Sequence, residues 1–199
     1  MLGTSAAIRR FAVIDTETTW ADEVMSIGIA AAESADFKLV DKRYYILTPF
    51  KDHGGMYSGV LYAKGIKPDL ECTRKKAISD IKAFLVKHEV QSMFAYNALF
   101  DYKHLPELQY LKWYDIMKLA SNRQYNDKIP DDAECYKTGR LKSGYGVEKI
   151  YQMVSGKPRY KELHNAIQDA VDELEIMRMM GVDLEQYYSF AAIKTSVSV

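Results

Sequence analysis

The segment Arg10-Phe11-Ala12-Val13-Ile14-Asp15-Thr16-Glu17-Thr18-Thr19 constrains this chain more than any other. Four apolar residues, Phe11 to Ile14, run straight into two acids separated by one residue. A short apolar run bounded by polar residues fits a strand buried on both faces. Side chains alternate along a strand, so Asp15 and Glu17 emerge on one face just past the buried part. Held there, two carboxylates repel each other and lose hydration, and something positive must compensate them. A hard divalent cation suits all-oxygen ligands, and Mg²⁺ is the usual one when phosphate is the other ligand. The competing reading is a strand that simply ends with both acids solvated.

Length and charge narrow the classes. The 199 residues are expected to form one domain over 1–199, with a core over about 10–181. Lys plus Arg (27) equals Asp plus Glu (27), which argues against tight, extended duplex binding and leaves room for a local pocket holding one strand end. Cys72 and Cys135 are far apart and form no metal-spaced pair, so a reducing compartment is the default. Residues 1–10 lack an apolar signal core and no segment approaches membrane-spanning length, which makes the expected location cytoplasmic.

After the first strand, Val24 to Ala30 and Phe37 to Leu47 are rich in β-branched and aromatic residues, with a polar break at Glu33 to Asp36. This pattern predicts a meander of three antiparallel strands. Residues 48–72 carry Pro49, Gly54, Gly55, Gly59, Gly65 and Pro68 without any period, and are expected to be a long irregular excursion. Ala77, Ile78, Ile81, Phe84, Leu85 and His88 recur at threes and fours, predicting a helix over about 73–88. Ser92 to Tyr96 fits a short strand, and Asn97 a helix N-cap. Pro106 should kink that helix or start a new turn. A last strand over Lys112 to Ile116, a short helix from Met117 to about Tyr125, a polar mobile loop over 126–144 and a helix from Gly146 to Val154 follow. A long helix is expected from about Glu162 to Met180, stopped by Gly181, with Thr195 to Val199 a frayed tail. Strands first and alternating strand and helix later imply an α/β fold: a mixed sheet covered by helices.

The long helix places the remaining acids. At 3.6 residues per turn, Leu163, Ile167, Ala170, Leu174 and Met177 form its core stripe. Asp169 borders the stripe and can face a cleft, while Asp172 lies opposite and is expected to be a solvated charge. Glu173, near the stripe, fits an ion pair to a neighbouring element. His164 stands five residues before Asp169, which is not a same-face spacing, so the two converge only if His164 lies at or before the first turn. Asp101 shares a face with Leu105 and Leu108 near a helix N-terminus, where the dipole also welcomes a carboxylate.

Taken together these segments resemble the DEDDh 3′–5′ exonucleases, a superfamily that includes the epsilon proofreading subunit of bacterial DNA polymerase, oligoribonuclease and ribonuclease T. Phe11 to Thr19 is similar to the first exonuclease motif, Ala95-Tyr96-Asn97-Ala98-Leu99-Phe100-Asp101 to the second, and His164-Asn165-Ala166-Ile167-Gln168-Asp169-Ala170 to the third. The resemblance implies a ribonuclease-H-like mixed sheet of about five strands, with Asp15, Glu17, Asp101 and Asp169 around two Mg²⁺ or Mn²⁺ ions. Such paired ions, about 4 Å apart, clamp the attacking and leaving oxygens of a phosphodiester. It also implies His164 as general base, a role its free pKa near 6.5 suits. Thr18 and Thr19 resemble the residues that contact the terminal sugar, and Asn97 and Phe100 those that orient the 3′ nucleotide, though capping and plain packing compete for the latter two. Trp20 departs from the usual glycine and fits either base stacking, a narrowed pocket or core filler. Tyr96 replaces a frequent histidine.

The implied partner is a single-stranded nucleic acid 3′ end, DNA or RNA, with a DNA polymerase or a second copy of the chain as further candidates. Two rivals remain open at this level. A strand ending in Asp-x-Glu-x-Thr loosely matches the haloacid-dehalogenase-like phosphatases, with aspartate as nucleophile. A non-catalytic docking or strand-binding module on the same fold is the other. His104 competes with His164 as base because it shares a helix face with Asp101, and Lys128, Lys137, Arg140 and Lys142 in the 126–144 loop are candidates to flank a strand-binding groove.

Overall fold

The computed structural model describes residues 9–63 and 65–193. The central strand is β1, Arg10–Thr18, in which Phe11, Ala12, Val13 and Ile14 are all fully buried. β2 (Val24–Glu33) and β3 (Leu39–Thr48) continue from it as the expected antiparallel meander. β4 (Leu70–Thr73) lies parallel to β3, β5 (Val90–Ala95) parallel to β1, and β6 (Lys112–Asp115) parallel to β5. Among the described residues the sheet has six strands in the order β4-β3-β2-β1-β5-β6.

Helices cover both faces, which is why β1 carries no polar residue between Phe11 and Ile14. Phe11 and Val13 pack with Leu174, Ile176 and Met177 of α5 (Ala166–Met180), Ile150 of α4 (Val147–Ser155) and Tyr187 of α6 (Leu184–Phe190). Ala12 and Ile14 face the opposite way, onto Ala77, Ile81 and Phe84 of α1 (Arg74–Lys87) and onto Leu105 and Trp113. Burying a Phe or Ile side chain contributes roughly 1.5–3 kcal/mol, so a one-residue slip that exchanged the two faces is strongly disfavoured. The parity of Phe11 and Val13 carries on to Asp15 and Glu17. Both acids are thereby aimed at the α5 side of the sheet.

Several expectations need correction. β4 begins inside the 48–72 stretch expected to be irregular; it is four residues long and half exposed, too short to show a period. The helix expected from Glu162 starts at Ala166, because His164 adopts φ +57° and Asn165 is extended and caps the helix, its side chain accepting from Gln168 N. Asn97 is no cap: at φ +60° it is a left-handed turn residue, and α2 (Leu99–His104) begins after Ala98 without a side-chain cap. Pro106 opens a 3-10 turn over Pro106–Leu108. The helix after β6 is α3, Ile116–Ala120, shorter than expected. The 126–144 stretch is tied down rather than loose, since Ile129 and Leu141 are buried in the core and Arg123 gathers the carbonyls of Pro130, Asp131 and Ala133. α6 follows Gly181, anchored by Leu184 and Tyr187, where no helix was expected. The expected tail over 195–199 lies outside the described residues. Among the described residues no helix is long and apolar enough to cross a membrane.

Candidate metal centre

Four chain segments converge at the end of β1. Asp15 and Glu17 leave the strand on its α5 face. β5, the parallel neighbour of β1, feeds α2, and this places Asp101 beside β1, where the Thr16 hydroxyl donates to Asp101 Oδ1 at 2.7 Å. α5 packs so tightly on β2 that a Cβ added at Gly28, the partner of Asp15 in the ladder, would fall 2.1 Å from Ala166 O. That approach brings in Asp169 from the first turn of α5. His164, just before the helix, is freed from helical spacing. Ligand atoms of Glu17, His164 and Asp169 all lie within 4.8 Å of one another.

The electrostatics are those of an uncompensated anionic nest. Burial pushes Asp15 well above the usual carboxylate range, and the charges of Asp101, Glu173, Asp169 and Glu17 push it further. Glu17 is pushed up to about 9 by burial and then by Asp169, Glu162 and Asp101. Burial raises Asp169 to about 8, with Glu162 and Asp172 adding to it. Asp101 rises to about 7 through burial, held back by the Thr16 hydroxyl. Asp15 Oδ2 and Asp169 Oδ1 are buried and accept no hydrogen bond among the described residues. Orphaned carboxylate oxygens are costly unless something else binds them. Hard divalent cations fit this donor set of carboxylate oxygens with one imidazole nearby.

Three further acids behave differently from the sequence expectations. Asp172 is not a solvated charge. It is buried, accepting from the Tyr160 hydroxyl at 2.6 Å and from Gln168 Nε2 at 2.9 Å, because residues 157–165 fold over the outer face of α5. Among the described residues Glu173 makes no ion pair; fully buried behind the site, it accepts from Tyr96 N at 3.0 Å, and burial raises it well above the usual range. Glu162, expected at a helix start, lines the cavity with its Oε1 3.7 Å from His164 Nδ1. No local signal marked Glu162, nor Met56 and Tyr57 from the irregular excursion, which also line the cavity.

The cavity measures about 380 Å³, within the range of small-ligand sites. Its walls include Asp15, Glu17, Asp101 and His164, and its mouth Thr18, Thr19, Trp20, Asn97 and Phe100. Trp20 is 71% exposed, which rules out core filler, and Phe100 is exposed at the rim against His104. Thr19 is turned inward, its hydroxyl accepting from Ala21 N and Glu23 N, so its side chain serves the β1–β2 turn. His104 does not line the cavity; its ring nitrogens meet Phe100 O and Asp22 Oδ1. Lys128, Lys137, Arg140 and Lys142 are not among the residues lining the cavity; Lys128 pairs with Asp127, Lys142 with Glu134, and Arg140 sits over the Tyr145 ring.

No family model matches the chain, and a search of curated proteins finds no match. Solved structures do match. The nuclease domain of 3'hExo, a DEDDh family member bound to rAMP, superposes with TM-score 0.65 at 15% identity, covering 96% of this chain and 100% of that one. E. coli Exonuclease I in complex with a 5cy-dT13 oligonucleotide gives TM-score 0.59 at 13% identity, covering 92% of this chain and 42% of that one. Exonuclease X in complex with 5′ overhanging duplex DNA gives 0.52 at 21% identity, covering 90% and 98%. The fold is therefore the ribonuclease-H-like α/β fold of the DEDDh 3′-exonucleases, with six strands where about five were expected.

Proposed function

We propose that this chain is a metal-dependent 3′–5′ exonuclease of the DEDDh type, releasing nucleoside 5′-monophosphates from the 3′ end of single-stranded DNA or RNA. The observation that carries the reading is the convergence of Asp15, Glu17, Asp101 and Asp169 from separate segments into one acidic cluster in which Asp15 Oδ2 and Asp169 Oδ1 are buried without a partner, with the half-buried His164 beside Glu17 and Asp169. Asp15, Glu17, Asp101 and Asp169 would hold two Mg²⁺ or Mn²⁺ ions. Bound there, the cations supply charge neutralisation at the phosphate and make water a better nucleophile at neutral pH.

The chain's own residues divide the remaining work. Nδ1 of His164 is turned toward Glu162, which leaves Nε2 to accept the proton of the attacking water. The Thr16 hydroxyl holds Asp101 in place. Trp20, Met56 and Phe100 at the mouth offer apolar faces on which an unpaired base can stack. A zero net charge fits an enzyme that grips one strand end rather than a long duplex. A silent strand-holding module on the same fold is the competing reading, and the filled set of five chemistry-bearing positions weighs against it.

The test offers 5′-labelled single-stranded DNA, RNA and dinucleotides with Mg²⁺ or Mn²⁺. Ladders shortening from the 3′ end, abolished by EDTA and by Asp15→Ala or Asp169→Ala, are expected. Stoichiometric binding with no metal-dependent nucleotide release would refute the enzyme and favour the module.

A further inference from the structure

We propose that Tyr57 is a positioning residue for the His164 imidazole, and that the excursion between β3 and β4 exists to deliver it. The proposal rests on the exonuclease reading above and deepens it. His164 has few restraints of its own. It sits at φ +57° in the irregular approach to α5, and its side chain is 37% exposed. Glu162 Oε1 is 3.7 Å from Nδ1, beyond hydrogen-bonding distance. One face of the ring is held closely: Tyr57 stacks on it with centroids 4.0 Å apart and planes 14° from parallel.

The stack is not an isolated contact, because the segment that carries Tyr57 is fastened at both ends to the elements that carry the acids. Before Tyr57 it crosses the end of β1, where Trp20 N donates to Gly54 O at 3.2 Å. At Gly55 the approach is so close that a Cβ would fall 2.6 Å from Thr18 O, so no larger residue fits that crossing unshifted. Past Tyr57 the chain is pinned by Asn165, the neighbour of His164. Asn165 Nδ2 donates to Val60 O at 2.8 Å and to the Tyr44 hydroxyl at 3.1 Å, and that hydroxyl donates to Leu61 O at 2.9 Å. Adjacent residues, His164 and Asn165, thus engage the same short stretch 57–61. With the excursion locked to β1 on one side and to the start of α5 on the other, the Tyr57 ring becomes a fixed wall against which the imidazole is set.

The experiment compares the full-length chain with Tyr57→Phe, Tyr57→Leu and Asn165→Ser. The last keeps a helix cap but loses the amide donor that pins the excursion. Two readouts are taken: proton–carbon correlation spectra of the His164 ring in the metal-free protein, and kcat and KM on single-stranded oligonucleotide with Mn²⁺. The His164 ring protons are expected upfield of free imidazole through the tyrosine ring current. Tyr57→Leu should return them toward free values and lower kcat on the order of 10²-fold, the cost of a misplaced catalytic group, with KM within about twofold. Tyr57→Phe should change neither readout, and Asn165→Ser should move both in the direction of Tyr57→Leu. Should Tyr57→Leu not fold, Asn165→Ser decides alone. Unshifted ring protons in the wild type, an unchanged kcat in the variants, a loss confined to KM, or a Tyr57→Phe as damaged as Tyr57→Leu would each overturn the proposal. A wild type that cleaves no substrate refutes the exonuclease reading instead, and the ring shifts then judge the stack by themselves.

Discussion

Gly28→Ala separates a site assembled by close packing from one that merely happens to be near. Gly28 faces Asp15 across the β1–β2 ladder, and its missing side chain lets the first turn of α5 lie directly on β2. A Cβ there would stand 2.1 Å from Ala166 O, 2.2 Å from Ala166 C and 2.4 Å from Ile167 Cα, all backbone atoms that cannot swing aside. Ordinary contact begins at 3.4 Å, so the start of α5 must retreat by about 1.3 Å. Asp169 is one turn further along and moves with it, away from Glu17. Metal sites tolerate ligand shifts of roughly 0.2 Å, and a misplacement of about 1 Å costs on the order of 10²-fold in rate. Overpacking a core in this way destabilises by about 1–3 kcal/mol, and rigid backbone neighbours place this case at the upper end. Urea unfolding measures the second effect and Mn²⁺ titration with oligonucleotide hydrolysis the first. Gly59→Ala, with nothing within 4 Å of its added Cβ, is the silent control. A Gly28→Ala protein with wild-type stability and turnover would refute the argument that this contact sets the distance between Asp169 and β1.

Three other expectations follow from the same geometry. His164→Ala should lower kcat by about 10²–10⁴-fold, the usual worth of a general base, while His104→Ala, whose ring does not line the cavity and is engaged by Asp22 Oδ1 and Phe100 O, leaves most turnover; the opposite result would exchange their roles. In EDTA the protein should melt at falling temperature from pH 5 to pH 9. Glu17 at about 9, Asp169 at about 8 and Asp101 at about 7 all lie above unfolded carboxylates, so the stability they contribute is complete below about pH 4 and is lost as pH rises through those values. Saturating Mg²⁺ should flatten that slope by stabilising the ionised forms, and a melting temperature that rises with pH in EDTA would contradict the burial argument. Asp172→Ala should cost about 1–3 kcal/mol in urea unfolding by stranding the Tyr160 hydroxyl and Gln168 amide, yet leave the Mn²⁺ titration unchanged, whereas equal loss of metal affinity would place Asp172 among the ligands.

Local chemistry alone determined the centre of this protein. An apolar run too short for a helix and unbroken by polar residues had to be an interior strand, and the two-residue repeat of a strand then aimed Asp15 and Glu17 the same way. The meander, α1, α4 and the Gly181 stop were equally legible, because each is written in periodicity or in a left-handed glycine. Periodicity reports which residues share a face, but not what another part of the chain lays over that face. Asp172 was misread for this reason, since its side of α5 looks outward until Tyr160 folds across it. Glu162 and Tyr57 carry no repeat at all, and acquire a place only when the Gly54–Gly55 crossing and the Asn165 amide draw the excursion against His164. The identities of the acids could be read in one dimension. Their separations could not, because these are set by contacts such as Gly28 on Ala166, between residues more than a hundred positions apart.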